Sequence, residues 1–551
     1  MKKFLIVALA ALGFVACNDN LNEVNPGGFS GEVETSYIAI NLNAADNTRA
    51  EGATYQDGLE AERAVKAAYF FFFDANGDAF PVTANAGNPA TAPATEGVNW
   101  ISANLQDLGV GETPNVSDIK DAVLVLSTYK GTYPSQIVAV INWVPVAGIA
   151  YDLDDLYAAA NIQGADGGFV MSNAVYSDGT KAVVGTPLTQ ANIFTNPAEA
   201  LSNPITIHVE RIAAKVTVTA NNVTDNRFQV TKKNQDNSSS VVTIPIGGSN
   251  IDVYVQVKGW ELHNDFSQSK LLKDIDLSWT DLGFNWNDQY YFRSYWAESL
   301  GFSDIGTNAF PENFSLDLGN TTNVNNGIYT DDTYTYVGEN TNGQQNGTKV
   351  ILKAQLQQKD GEDYKPLALA RWYTTYYAGT EDLLKAVANT IKYQYCSNDG
   401  SDNYVYISDK DLTIKKVDNL VQFELSTTGV GKNWYIPNGN GEYTAKTDEQ
   451  MNALLAGIEK ALYYENGETL YYVDIKHLGT PNSVAEYGVV RNHIYNVVLN
   501  SFGGFGSPVY VPGGNLTYPD NPADTGEYVS AQINVLSWRL VNQEVDIQPN
   551  N

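Results

Sequence analysis

Cysteine is almost missing from this chain: there are two in 551 residues, with three Met and four His. A disulfide scaffold and a cysteine-rich metal site are therefore excluded. Basic residues are also short, at 33 against 63 acidic, for a net charge of −30. That balance argues against nucleic acid or an anionic membrane surface as partner. Charged residues make up only 17%, whereas aromatics reach 11% with 34 Tyr. Disorder has the opposite signature. What is there is 46 Gly and heavy use of Asn, Thr, Val and Tyr. The composition predicts a β-rich exported protein, long enough for two or three domains each with its own core.

The first segment points to the compartment. Lys2 and Lys3 precede an apolar run, Phe4 to Ala16, which is too short to span a bilayer and reads as an export signal. Phe14-Val15-Ala16-Cys17, followed by Asn18-Asp19-Asn20, resembles a bacterial lipobox. Lipid would then join the Cys17 thiol. An ordinary signal peptide with an incidental cysteine is the alternative. Residues 18–35 read as a tether. In Tyr37-Ile38-Ala39-Ile40-Asn41-Leu42, the alternation of Ile38, Ile40 and Leu42 predicts a half-buried strand. Arg49 follows in a polar linker and is open to an Arg-specific protease; a surface Arg without a role is the plain alternative.

β patterns dominate beyond Tyr55. Ala67 to Asp74 reads as an aromatic strand closed by a turn at Asn76-Gly77, and Val123 to Leu126 and Ile137 to Val144 read as buried strands. Ile205, Ile207 and Val209 occupy odd positions, but Ala214, Val216 and Val218 occupy even ones. The chain must therefore bulge or change sheets across Glu210-Arg211-Ile212-Ala213, and a domain junction is expected near residue 220. Helices are predicted over Asp152 to Ala160, Glu381 to Ile391 and Asp448 to Leu462. Thr447 and Gln450 are spaced as a capping box for the last. From Ser501 to Glu527 a Gly/Pro/Asn-rich stretch reads as a spacer. Beyond it stands an isolated strand pattern: Val529, Ala531, Ile533 and Val535 on one face, then Trp538, Leu540, Val545 and Ile547. Such a strand needs a sheet to join, in its own domain or in another molecule.

No catalytic constellation emerges. Hydrolase elbow, zinc-protease and phosphate-loop motifs are absent. The four His (His208, His263, His477 and His493) are scattered through β patterns. Asp74-Ala75-Asn76-Gly77-Asp78 lacks the remaining ligands of a calcium loop and reads as a hairpin turn. No cofactor, no metal and no enzyme activity are expected.

The order of parts resembles the fimbrillins, or type V pilins, of anaerobic Gram-negative bacteria, most closely the short-fimbria major subunits. The residues carrying the likeness are Ser36 to Leu42 ahead of Arg49-Ala50, Val209-Glu210-Arg211-Ile212-Ala213-Ala214-Lys215-Val216, and Val490-Arg491-Asn492-His493-Ile494-Tyr495. The ending, Ile533 to Trp538 and Glu544 to Ile547, also matches. The resemblance implies a mainly β chain of two β-sandwich (transthyretin-like) domains with a few short helices. The parts would be a signal (1–17), a propeptide (18–49), an N-terminal domain (50–220), a C-terminal domain (221–500), a flexible arm (501–527) and a donor strand (528–551).

It further implies a lipoprotein precursor sent to the outer membrane, cut between Arg49 and Ala50 by an Arg-specific surface protease, and polymerised by donor-strand exchange. The strand bearing Ile38, Ile40 and Leu42 would leave, and another copy's terminal strand would fill the groove. Elementary physics agrees: removing a central strand exposes apolar surface and unpaired backbone, a template for strand addition. A head-to-tail contact that does not close yields a filament. The implied partners are copies of the chain, accessory fimbrial subunits, the protease, and host or bacterial surface receptors, at a cell-surface fimbrium and without nucleic acid. Alternatives are an anchor or tip subunit, and a monomeric surface lipoprotein that binds glycans through its Trp and Tyr.

Overall fold

The computed structural model describes residues 33–43, 55–56, 58–82, 98–103, 106–107, 119–129, 132–177, 181–220, 223–234, 236, 238–276, 296–301, 325–326, 334–401, 403–417, 420–477, 485–508, 529–534 and 538–546. The chain is mainly β, with few and short helices. Its first sheet is built from β1 (Val33–Asn43), β2 (Ala68–Phe73), β3 (Ile119–Tyr129), β4 (Gln136–Ile141), β5 (Met171–Asn173) and β6 (Ile205–Arg211). The spatial order is β2-β4-β5-β6-β1-β3, with Trp100–Ala103 on the outer edge of β2 and Gln106–Asp107 beside β3. Phe70 to Phe73 and Ile137 to Ile141 are wholly buried, as expected of continuous apolar runs. The chain turns back after β2, as expected of a hairpin turn, with the Asp74 amide donating to the Asp78 carbonyl at 3.0 Å. Asp74 Oδ1 accepts the amides of Asn76 and Asp78 at 2.7 and 3.1 Å, and Gly77 takes φ +93°, a conformation that favours glycine.

The phase flip near residue 210 is a change of sheet. β6 ends at Arg211, Ile212 is fully buried, and β7 (Ala213–Ala220) opens the second sheet. The second half adds β8 (Ser249–His263), β9 (Tyr334–Gly338), β10 (Lys349–Asp360), β11 (Glu468–Asp474), β12 (His493–Phe502), β13 (Val529–Asn534) and β14 (Trp538–Asp546). β9 and β12 flank β7, while β8, β10 and β11 form an opposing sheet. Val216, Val218, Val497 and Leu499 from one side meet Val255, Leu352, Ala354 and Val473 from the other in one core. This is a β-sandwich.

Between β10 and β11 lies a third, separate core, inside the span expected as one C-terminal domain. It packs α1 (Gly379–Ile391) and α2 (Asp448–Ala456) on two small sheets. Leu383, Val387 and Ile391 recur at four-residue spacing and form the buried face of α1.

Three expectations need correction. The predicted helix from Asp152 is a single 3-10 turn, Leu153–Tyr157, followed by a strand at Ala159–Asn161. α2 stops at Ala456, where Gly457 caps it and its amide donates to the Leu454 carbonyl at 3.2 Å. The aromatic Ala461–Tyr464 then pairs as a strand with Leu369–Arg371. The spacer does not begin at Ser501. Phe502 and Phe505 are buried, Ser507–Pro508 pairs with β11, and the Gly504 and Gly506 carbonyls accept from Tyr471 and Tyr464 at 2.9 and 2.8 Å. Glycines bring the backbone close enough to be held by tyrosine hydroxyls, so a Gly-rich stretch packs where a flexible one is expected. Residues 509–527 of the expected arm lie outside the described residues.

Candidate assembly sites: a central N-terminal strand and a terminal strand pair

β1 lies between two strands. On one side all eleven residues pair antiparallel with β3, from Val33↔Tyr129 to Asn43↔Ile119; on the other, Ile40 to Asn43 pair in parallel with Ile205 to His208 of β6. Ile38, opposite Leu124, is fully buried within the first core, and its neighbour Ala39, which points the other way, is 2% exposed. The expected half-buried strand is thus buried on both faces. Ile40 and Leu42 stand in register with Ile205 and Ile207. Among the described residues, only β1 joins β3 to the rest of the sheet. Withdrawing β1 leaves a slot with backbone donors and acceptors bare along both walls. Cys17, Arg49 and Ala50 lie outside the described residues.

The terminal strand folds back within the chain and is two strands rather than one. β13 runs antiparallel to β12, setting Val529, Ala531 and Ile533 opposite Phe502, Leu499 and Val497. β14 returns beside it, with Ser530 opposite Val545 and Ala531 opposite Glu544. Its first residues also meet β12 in parallel, where Leu540 pairs with Ile494, and Trp538 pairs with Gln56 of the short strand Tyr55–Gln56. Val535 and Ile547 lie outside the described residues.

The two sequence motifs around Arg211 and Arg491 meet at the sheet change. Lys215 pairs with Ile494 in the β7–β12 ladder, the Asn492 amide donates to the Ala213 carbonyl at 2.7 Å, and Arg211 donates to Asn492 Oδ1 at 3.1 Å. Three acid–base contacts are buried here. Lys215 Nζ reaches Glu62 at 2.8 Å, Lys273 reaches Glu210 at 2.9 Å, and Arg491 reaches Glu339 at 2.8 Å. Burial alone would raise the Glu62 carboxyl, but hydrogen bonds from Lys215 and Tyr336 outweigh it and hold it below its ordinary value. Burial likewise opposes ionisation of Glu339, and the charges of Arg491 and Lys273 overcome it. Arg211 Nε also donates to the Glu62 carbonyl at 2.6 Å, so residues 59–62 are pinned to the sheet change.

Glu62, Lys273 and Glu339 are missed by sequence reasoning. The one signal is indirect and concerns Glu62: Lys215 sits in a strand otherwise made of Ala, Val and Thr, and a buried ammonium requires a carboxylate from elsewhere. Of the four His, His477 and His493 adjoin this junction, with ring centroids 5.2 Å apart. Among the described residues no group of three His, Cys, Asp or Glu is placed to hold a metal ion.

Residues 462–544 match the family described as major fimbrial subunit protein type IV, fimbrillin, C-terminal. The likeness to fimbrillins is therefore plain over β11 to β14. No curated protein matches the chain. Among solved structures, the chain is similar to a candidate cell adhesion protein from Parabacteroides distasonis, at 11% identity and TM-score 0.38, covering 91% of this chain and 96% of that one. It is also similar to a fimbrilin from Porphyromonas gingivalis (11%, TM-score 0.29, 93% and 97% covered). A third is the tip fimbrial protein Mfa3 of the same organism with C-terminal truncation (11%, TM-score 0.27, 92% and 100%).

Proposed function

We propose that this chain is a structural subunit of a cell-surface fimbrium, supporting adhesion and assembled by strand exchange after proteolysis. In this reading the precursor is exported as a lipoprotein with lipid on Cys17, carried to the outer membrane, and cut between Arg49 and Ala50 by an Arg-specific surface protease. β1 then leaves. The terminal segment of another copy, Val529 to Ile547, moves from its own β12 into the slot between β3 and β6. Each copy offers one slot and one terminal segment, so the contact repeats without closing. Accessory fimbrial subunits and surface receptors would complete the set of partners.

The observation that carries this reading is the position of β1: a strand central to its sheet, yet placed ahead of a lone Arg in a polar linker. A fully buried Ile contributes roughly 1.5–3 kcal/mol, so a vacated slot is strongly driven to refill. The fimbrillin match over residues 462–544 supports the terminal segment as the replacement. Deleting residues 528–551 tests it: the variant is expected to be trimmed normally yet stay monomeric by gel filtration. Polymer of unchanged size from that variant would refute the exchange.

A further inference from the structure

One face of the third core's smaller sheet is made of tyrosine. Strands Cys396–Asn398, Tyr404–Tyr406, Asn433–Pro437 and Tyr443–Lys446 form a four-stranded antiparallel sheet. Directly opposed residues share a face. Cys396 stands opposite both Tyr406 and Tyr435, Asn398 opposite both Tyr404 and Asn433, and Pro437 opposite Tyr443. Tyr404, Tyr406, Tyr435 and Tyr443 therefore lie on one face with Asn398 and Asn433, and among the described residues no Asp, Glu, Lys, Arg or His shares it. Trp434, on the other face, is sunk in the core.

The rings form a corner. Tyr404 and Tyr443 stack at 3.7 Å and 4°, while Tyr435 stands across them at 82° and 84°. Tyr406 meets Tyr393 edge to face at 5.1 Å. Tyr443, Tyr406 and Tyr393 remain 39%, 44% and 70% exposed, and no described residue takes up any of the five hydroxyls. Half-exposed and exposed rings whose hydroxyls meet no described residue suit a ligand with both apolar and hydroxyl surface.

We propose that this face binds a neutral carbohydrate chain. A sugar ring has an apolar C–H side to lie on Tyr435 or against the stacked pair, and hydroxyls to meet the phenols. The Asn398 Oδ1 and the Asn433 Nδ2 are already engaged, by the Gly400 amide at 2.6 Å and the Asn398 carbonyl at 3.3 Å, which leaves Asn398 Nδ2 and Asn433 Oδ1 for the ligand. Charge selects the neutral class. Among the described residues the face has no cation to pair with a sialylated or sulfated glycan, and the chain's net charge of −30 repels one. Lys392, 5.7 Å from the Tyr393 ring, stands only at its margin. The face shares no residue with β1, β13 or β14, so this inference and the assembly reading fail independently.

The test titrates the purified full chain with lactose, mannotriose and sialyllactose, followed by intrinsic fluorescence and saturation-transfer NMR. Binding of lactose or mannotriose is expected, with sialyllactose at least about tenfold weaker. Tyr435→Ala is expected to lose about tenfold or more in affinity. Tyr443→Ala, on the outermost strand, should lose affinity with an unchanged melting temperature. The proposal is overturned if neither neutral sugar binds, if sialyllactose is preferred, or if Tyr443→Ala binds as the parent does.

Discussion

Glu62 shows how much a single side chain holds at the sheet change. Its carboxylate faces Lys215, whose side chain is 1% exposed, and its carbonyl accepts from Arg211. Removing one partner of a buried pair strands the other charge, at a cost of about 3–5 kcal/mol. Glu62→Ala is therefore expected to lower the urea midpoint by that much stability, and Lys215→Ala by a similar amount. His477 gives a pH dependence. Its Nδ1 lies at hydrogen-bond distance, 2.8 Å, from the Tyr495 hydroxyl, which also accepts from the Val490 amide. Burial, helped by the Lys273 charge, pushes its pKa down to about 3 from 6.5. The unfolded chain binds the proton first, so stability is full above pH 6.5 and falls as the pH drops toward 3. Urea midpoints between pH 8 and 4 should decline for the parent and decline less for His477→Gln. Neither role is legible in the sequence, because Glu62 meets Lys215 153 residues on and His477 meets Tyr495 of β12, contacts that no local pattern marks.

Elements with strong local signals are legible, and their ends follow capping chemistry. The Thr447 hydroxyl accepts the Gln450 amide at 3.3 Å, and the Gln450 side chain accepts the Thr447 amide at 3.2 Å, as the capping-box spacing predicts. Thr447→Ala should cost about 1 kcal/mol, read as a lower melting temperature. The helix's far end is misplaced in the sequence because apolar Ala461-Leu462 continues its pattern, whereas Gly457 stops it. Alternation locates β1 and Ile38 correctly but cannot report that strands on both sides cover it; that is a property of the sheet. The terminal strands are legible as β but not as a pair, since Val535-Leu536-Ser537 offers no Gly or Pro to mark two strands in the sequence. Ile38→Asp puts a charge in the first core and should destabilise the uncut precursor by several kcal/mol. If β1 leaves on assembly as proposed, polymer formed from that variant should melt as the parent polymer does.

At the scale of the whole molecule, the sheet change at Ile212 links the sheet that holds β1 to the sheet that holds the terminal strands. The phase flip makes this crossover visible in the sequence. The third core is not visible, because its short strands alternate with helices and look like a continuation of the C-terminal sandwich. The proposed assembly requires that the strand at Val33–Asn43 be lost before the chain polymerises. The most direct measurement is the N-terminal residue of this protein in material sheared from cells and sized by gel filtration. High-mass polymer beginning at Ala50 is the predicted result. High-mass polymer that still begins at Cys17, with β1 retained, would contradict it.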